Sequence, residues 1–261
     1  MKNLKLTIIQ SKIFWEDTKK NLDMFDKKID AVKDRTDLII LPEMFTTGFS
    51  MNLVKSVQTM NGPALDWMRS IAYEKNCDIT GSVKITENEM FFNRLMWTKP
   101  DGKNFKYDKK HLFRMLGEEK VYTAGESRIV IDLNGWKISP FICYDLRFPI
   151  WSRNLHNKYD IAVYTANWPA IRSHHWKTLL KARAIENQCY VVGVNRTGYD
   201  GNDIYYSGDS CIINPFGETI FDASDKECSH TAELSYQALK EYRTTFPIWM
   251  DADMTTPLCS S

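Results

Sequence analysis

The chain has 261 residues, 43% of them apolar and 13% aromatic, with 34 basic against 33 acidic side chains and a formal net charge of +1. Such a composition can bury a sizeable core. The even charge, with no basic patch or acidic tail, argues against nucleic-acid or anionic-membrane binding, and no stretch nears the roughly 18 apolar residues that span a bilayer.

The opening MKNLKLTIIQSKIFWED has a short apolar run with no small-residue cleavage site after it, so no signal peptide is expected. LKLTIIQ (4–10) reads as a strand. Over 18–33, Leu22, Phe25, Ile29 and Val32 recur at helical spacing. DLIILPE (37–43) is an apolar strand ending on a proline and a carboxylate. GPALDWMRSIAYEKN (62–76) is a helix with Pro63 in its first turn. DITGSVKI and MFFNRLMWTKPDGK are strands, the second closing in a Pro-Asp-Gly turn. Residues 101–127 read as a polar connection. RIVIDLNGWKISPFIC is a hairpin turning at Asn134-Gly135, and YDIAVYTAN (159–167) a buried strand. SHHWKTLLKARAIENQ (173–188) is a helix, CYVVGVNR a strand, and GDSCIINPFGETIFDAS a hairpin around Pro215-Phe216-Gly217. An aromatic segment, YQALKEYRTTFPIWMD, follows. No linker or internal sequence repeat marks a boundary, so residues 1–261 read as a single domain. Helices alternating with strands and hairpins predict α/β architecture, with mixed sheets covered by helices. Neither G-x-G-x-x-G nor a Walker loop is present, so a nucleotide cofactor is not expected.

Three ionisable residues stand where apolar segments run out: Glu43 after LIILP, Lys109 in YDKKHLF and Cys143 after PFI. Charge at such places is costly unless paired or used. Together they make chemical sense. A carboxylate can take a thiol's proton, and an ammonium can lower the thiol pKa and hold an oxyanion.

LPEMFTTGF, YDKKHLF and ICYDLRFP, in this order and spacing, resemble the nitrilase superfamily of carbon–nitrogen hydrolases, and NWP (167–169) and HWKTLLKARAIENQCYVVGVNR (175–196) extend the likeness over nearly the whole chain. The resemblance implies an α-β-β-α sandwich, subunits paired through helices beside the active site, and a Glu43-Lys109-Cys143 triad. It also implies a second glutamate in GEEKVYTAG, where the spacing to Gly125 favours Glu118 over Glu119. By the same resemblance, the backbone N–H of Tyr144 joins Lys109 in holding an oxyanion.

Other readings stand beside these. Free cysteines are usually packed in cores, which is the expectation for Cys77, Cys189, Cys211, Cys228 and Cys259. With no C-x-x-C pair among the six cysteines, reduced thiols in a cytoplasmic protein are the simplest reading. His111 suggests a Cys-His dyad, but a structural histidine is the commoner outcome. His174 and His175 are adjacent on a helix and point apart, with no partner at ligand spacing, so no metal is expected. Arg147 would suit a substrate carboxylate. A salt bridge with Asp145 or a nearby glutamate is the structural alternative, and is placed ahead. Trp168 and Phe45 either wall the pocket or belong to the core.

Within the superfamily, LPEMFTTGFSM, HLFRM and CYDLRFPIWSRN are most similar to the ω-amidase branch. The resemblance implies hydrolysis of the terminal amide of 2-oxoglutaramate or 2-oxosuccinamate, a step tied to methionine salvage. It implies a small-molecule amide substrate, no cofactor, no nucleic-acid or membrane partner, and a homodimer, with the tail at about 236–261 as one candidate interface. A nitrile or carbamoyl hydrolase on the same scaffold, and a catalytically silent binding module, are the rival expectations.

Overall fold

Strands covered on both faces need apolar side chains on both, and LIIL and IAVYTA are such runs. The computed structural model describes residues 2–54 and 56–252. The first half comprises β1 (Leu4–Gln10), α1 (Thr18–Asp30), β2 (Leu38–Ile40), α2 (Pro63–Lys75), β3 (Asp78–Glu87), β4 (Met90–Thr98) and β5 (Asn104–Asp108). The second comprises β6 (Ile131–Leu133), β7 (Trp136–Ile142), α3 (Pro149–Ser152), β8 (Ile161–Ala166), α4 (Ser173–Asn187) and β9 (Tyr190–Asn195). A small hairpin follows, β10 (Thr197–Tyr199) and β11 (Tyr205–Ser207). Then come β12 (Cys211–Ile213), β13 (Thr219–Asp222), β14 (Cys228–Leu234) and α5 (Tyr236–Thr245).

Two six-stranded mixed sheets result, ordered β14-β1-β2-β3-β4-β5 and β13-β12-β9-β8-β7-β6. Each has three parallel strands at its centre, β1-β2-β3 in one and β7-β8-β9 in the other, flanked by antiparallel neighbours. The two halves therefore share a topology that no sequence repeat announces. Leu4, Leu6 and Ile8 of β1 alternate inward to meet Ile138, Val163 and Val192 of the other sheet. Ile9 and Ile39 point outward under α1 and α2, beside Phe25, Leu65 and Met68. On the far side, Trp176, Leu180 and Ala184 of α4 cover Ala162, Tyr164 and Val191. This is the expected α-β-β-α sandwich. Its helix–sheet spacing is tight at Gly193, where a Cβ would lie 2.5 Å from Leu180 and 2.8 Å from Trp176.

Local chemistry explains the helix ends. Gly62 has no side chain to cap α2, so Gln58 Oε1 accepts the Ala64 N–H at 2.8 Å, with Pro63 at the first position. Asn76 closes α2 in the left-handed conformation at φ 48°. Helix α1 stops at Asp30, before Val32, which was expected inside it; Phe25 and Ile29 already complete its buried seam.

Three elements differ from the sequence reading. The segment 101–127 contains β5, an edge strand with only Tyr107 buried. Strand β14 (CSHTAEL) was not read as a strand because one of its faces is polar and open. The aromatic segment forms α5, which docks on its own chain. Arg243 donates to Asp160 at 2.7 Å and to the Gln188 carbonyl at 2.8 Å, and Leu239 enters the central core. Cys259 lies outside the described residues. Among those residues, no helix is long and apolar enough to cross a membrane.

Candidate active site

Strand β7 delivers Cys143 at its exit. The backbone turns there at φ 43°, a region that costs a non-glycine residue about 1–2 kcal/mol. Met44, following Glu43, sits at φ 46°. Strained backbone beside two of the three motif residues is the kind that clusters where function over-determines geometry. Asp145 holds the turn. Its carboxylate accepts the Ile142 N–H at 3.0 Å, the Tyr107 hydroxyl at 2.6 Å and the His111 N–H at 2.9 Å. It thereby ties the Cys143 turn to the segment carrying Lys109.

The predicted residues converge. Lys109 Nζ lies 2.9 Å from Glu43 Oε1 and 2.9 Å from Glu118 Oε2, with Glu43 and Glu118 wholly buried and Lys109 1% exposed. Asn93 Nδ2 donates to Glu43 at 2.7 Å and to Glu118 at 3.2 Å. The Phe113 N–H donates to Glu118 at 2.6 Å. Asn167 serves both sides. Its N–H donates to Glu43 Oε2 at 2.7 Å, and its carbonyl accepts the Cys143 thiol at 3.8 Å. Glu118, not Glu119, is the glutamate brought to Lys109. Asn93 and Asn167 were not singled out beforehand, although an asparagine inside MFFNRLMW was a visible signal.

Burial pulls the Lys109 ammonium down, but Glu118 and then Glu43 outweigh it, so it stays charged with its pKa raised. Burial pushes the Glu118 carboxyl up, against the pull of Lys109. Burial first, and Glu43 second, push the Cys143 thiol well above its ordinary value, so the resting sulfur is protonated at neutral pH. Alkylation of Cys143 by iodoacetamide is therefore expected to keep accelerating above pH 9. A plateau near neutrality, the mark of a thiolate–imidazolium pair, would contradict this arrangement. His111 makes no such pair: its Nδ1 lies 2.8 Å from Asp145 Oδ1, and its ring stacks on Phe148 at 3.9 Å.

Cys143 and Lys109 open into a cavity that is also lined by Phe49, Phe113, Leu116, Tyr144, Asn167, Trp168 and Tyr206. Arg147 and Arg172 complete the cationic lining, and no acidic side chain among the described residues lines it. Trp168 is thus a wall. Phe45 is not: it is fully buried in the outer core against Phe25, Trp67 and Gly81, so its expected place in the pocket is corrected. The salt bridge expected for Arg147 is likewise absent among the described residues, because Asp145 is committed to Tyr107, His111 and Ile142. Arg147 instead lies 4.8 Å over the Trp168 ring and donates to His175 Nδ1 at 3.1 Å. No group of three or more His, Cys, Asp or Glu that could hold a metal occurs among the described residues. Cys77, Cys189 and Cys211 are buried, and burial pushes each thiol up to about 12.

The family model for carbon–nitrogen hydrolase matches residues 5–244. The chain belongs to the carbon–nitrogen hydrolase family. This hydrolase is 48% identical to the omega-amidase YafV of Escherichia coli K12 over 254 residues, covering 97% of this chain and 98% of that one. It is 33% identical to the 2-oxoglutaramate amidase of Bacillus subtilis, over 94% of this chain and 96% of that one. Among solved structures, a CN-hydrolase superfamily protein from Xanthomonas campestris, with an arsenic adduct in its active site, superposes with a TM-score of 0.96 at 40% identity. The superposition covers 98% of this chain and 99% of that one.

Proposed function

We propose that this carbon–nitrogen hydrolase is an ω-amidase, releasing ammonia from the terminal amide of short α-keto acid amides such as 2-oxoglutaramate and 2-oxosuccinamate. One observation carries the reading beyond family membership. Besides Lys109, which Glu43 and Glu118 hold, the cavity over the thiol is lined by Arg147 and Arg172, with no acidic side chain among the described residues. Such a lining favours a small amide whose far end is a carboxylate. The omega-amidase and 2-oxoglutaramate amidase relatives point the same way.

In this reading Glu43 takes the Cys143 thiol proton as sulfur attacks the amide carbon. The oxyanion is held by the Lys109 ammonium and the Tyr144 N–H. Glu43 passes the proton to the departing nitrogen, and ammonia leaves a thioester. Glu43 then deprotonates a water, positioned by Glu118, which attacks the thioester; the acid departs and the thiol regains its proton. Arg147, its face on Trp168, offers its edge to the substrate carboxylate, and Trp168 walls the acyl chain.

We further propose that two copies pair near the cavity mouth, where Met115, Leu116, Ile150 and Ile171 are exposed apolar side chains on the segments that carry the lining. A cytoplasmic setting suits the free thiols of Cys77, Cys189 and Cys211.

A substrate panel scored by ammonia release tests the activity. The kcat/KM for 2-oxoglutaramate is expected to exceed that for simple nitriles by at least about 100-fold, since a site built for a charged group rejects compounds lacking it. N-carbamoyl amino acids, which carry a carboxylate but present a ureido group to the thiol, form the third arm of the panel and are expected to react more slowly than 2-oxoglutaramate. Preference for nitriles or carbamoyl compounds would replace this reading with the corresponding hydrolase. No turnover of any of them would favour a silent binding module.

A further inference from the structure

Arg172 lies outside the motifs that point to the site, yet it brings a full charge to the cavity. It ends the short 3-10 turn Ala170–Arg172, just before α4. Its carbonyl accepts the Trp168 indole N–H at 2.8 Å, which fixes its backbone to the cavity wall. Its guanidinium lies 5.6 Å over the Phe113 ring, as Arg147 lies over Trp168. Phe113 is itself anchored through its N–H to Glu118.

Both guanidinium carbons thus lie over an aromatic ring, a placement that supports the cation without using its N–H groups; of these, one on Arg147 already meets His175 Nδ1 at 3.1 Å. Neither makes an ion pair among the described residues, although both are half-buried. A guanidinium that meets no carboxylate among the described residues, in a cavity that none of their acidic side chains lines, is a receptor for an anion from outside. Lys109 is not available for that task, because Glu43 and Glu118 already hold it.

We propose that Arg172 is a specificity-determining residue. With Arg147 it clamps the carboxylate at the far end of the substrate, and it sets the preference for anionic over neutral amides. The inference rests on the ω-amidase reading and refines it.

The test compares 2-oxoglutaramate with levulinamide, which has the same skeleton with a methyl group in place of the carboxylate. Arg172→Met keeps an apolar stem against Phe113 and removes the charge. Its KM for 2-oxoglutaramate should rise about 10- to 100-fold, the usual worth of a charge-assisted contact, with kcat within about threefold of wild type. Its kcat/KM on levulinamide should stay within about twofold of wild type. Arg172→Gln is the second neutral variant, used if melting curves show that Arg172→Met has not folded. An unchanged KM for 2-oxoglutaramate, or equal losses on both substrates, overturns the clamp while leaving the ω-amidase reading intact. A wild-type enzyme inert towards 2-oxoglutaramate removes that reading, and the clamp with it.

Discussion

Replacing Cys143 with alanine is expected to lower kcat by at least about 10⁴-fold, the scale on which nucleophiles in coupled catalytic units act. The half-buried side chain opens to the cavity, and alanine removes only its sulfur atom, so the melting temperature should move by no more than about 3 °C. Cys143→Ser should be nearly as inactive. A hydroxyl is a poorer nucleophile than a thiol, and Glu43 is a weak base for it. Acid-quenched wild-type enzyme, mixed with substrate, should carry the acyl group as added mass on the Cys143 peptide; the alanine variant should carry none. Alanine at Cys77 or Cys211, by contrast, should cost stability and leave turnover in place, because both sit in cores away from the cavity. Residual activity in Cys143→Ala within about tenfold of wild type would end the nucleophile assignment.

Lys109→Met is the second large effect, and it should show in stability as well as rate. The substitution leaves Glu43 and Glu118, both wholly buried, with neutral donors only: the Asn93 amide between them, the Asn167 N–H on Glu43 and the Phe113 N–H on Glu118. Breaking a buried charge arrangement of this kind costs about 3–5 kcal/mol. The sign of its pH dependence follows from repulsion between the two carboxylates. Without the ammonium they cannot both ionise at ordinary pH, so one keeps a folded pKa above its unfolded value; burial already pushes Glu118 that way. The stability from holding that proton is fully present below the unfolded pKa and disappears as pH rises through the folded one. The deficit of Lys109→Met relative to wild type should therefore grow from pH 5 to pH 8 in urea melts. A second change, Glu118→Gln, should restore part of the stability at pH 8 without restoring turnover. An equal deficit at both pH values would show that the three charges are not coupled as their 2.9 Å contacts imply.

The site was legible where a residue's position conflicts with its chemistry. Glu43 and Cys143 follow apolar strands, and Lys109 sits beside one, so each needed a reason to be there. Asn93 obeyed the same rule inside MFFNRLMW and was passed over, because a neutral amide is a weaker anomaly than a charge. Phe45 failed for the opposite reason. It neighbours the Glu43 motif in sequence, but with Met44 at positive φ its ring turns into the outer core against Gly81. Arg147 was expected to pair with Asp145, two residues away, or with a nearby glutamate, ahead of a role at a substrate carboxylate; the fold gives Asp145 four donors from Tyr107, His111 and Ile142 instead, and no ion pair of Arg147 occurs among the described residues.

The sequence alone determined the elements with strong periodicity, the layered α/β class and the places where Glu43, Lys109 and Cys143 stand at the ends or flanks of apolar segments. Side-chain spacing and the cost of burying charge are local properties, and a chain carries them before it folds. Only the tertiary structure decided that Glu118 and Asn93 meet Lys109, that Asn167 links the acid to the thiol, and that Arg172 reaches the same cavity as Arg147. These are contacts between distant segments, set by how β4, β7 and β8 exit their sheets and by the direction in which each turn aims its side chain.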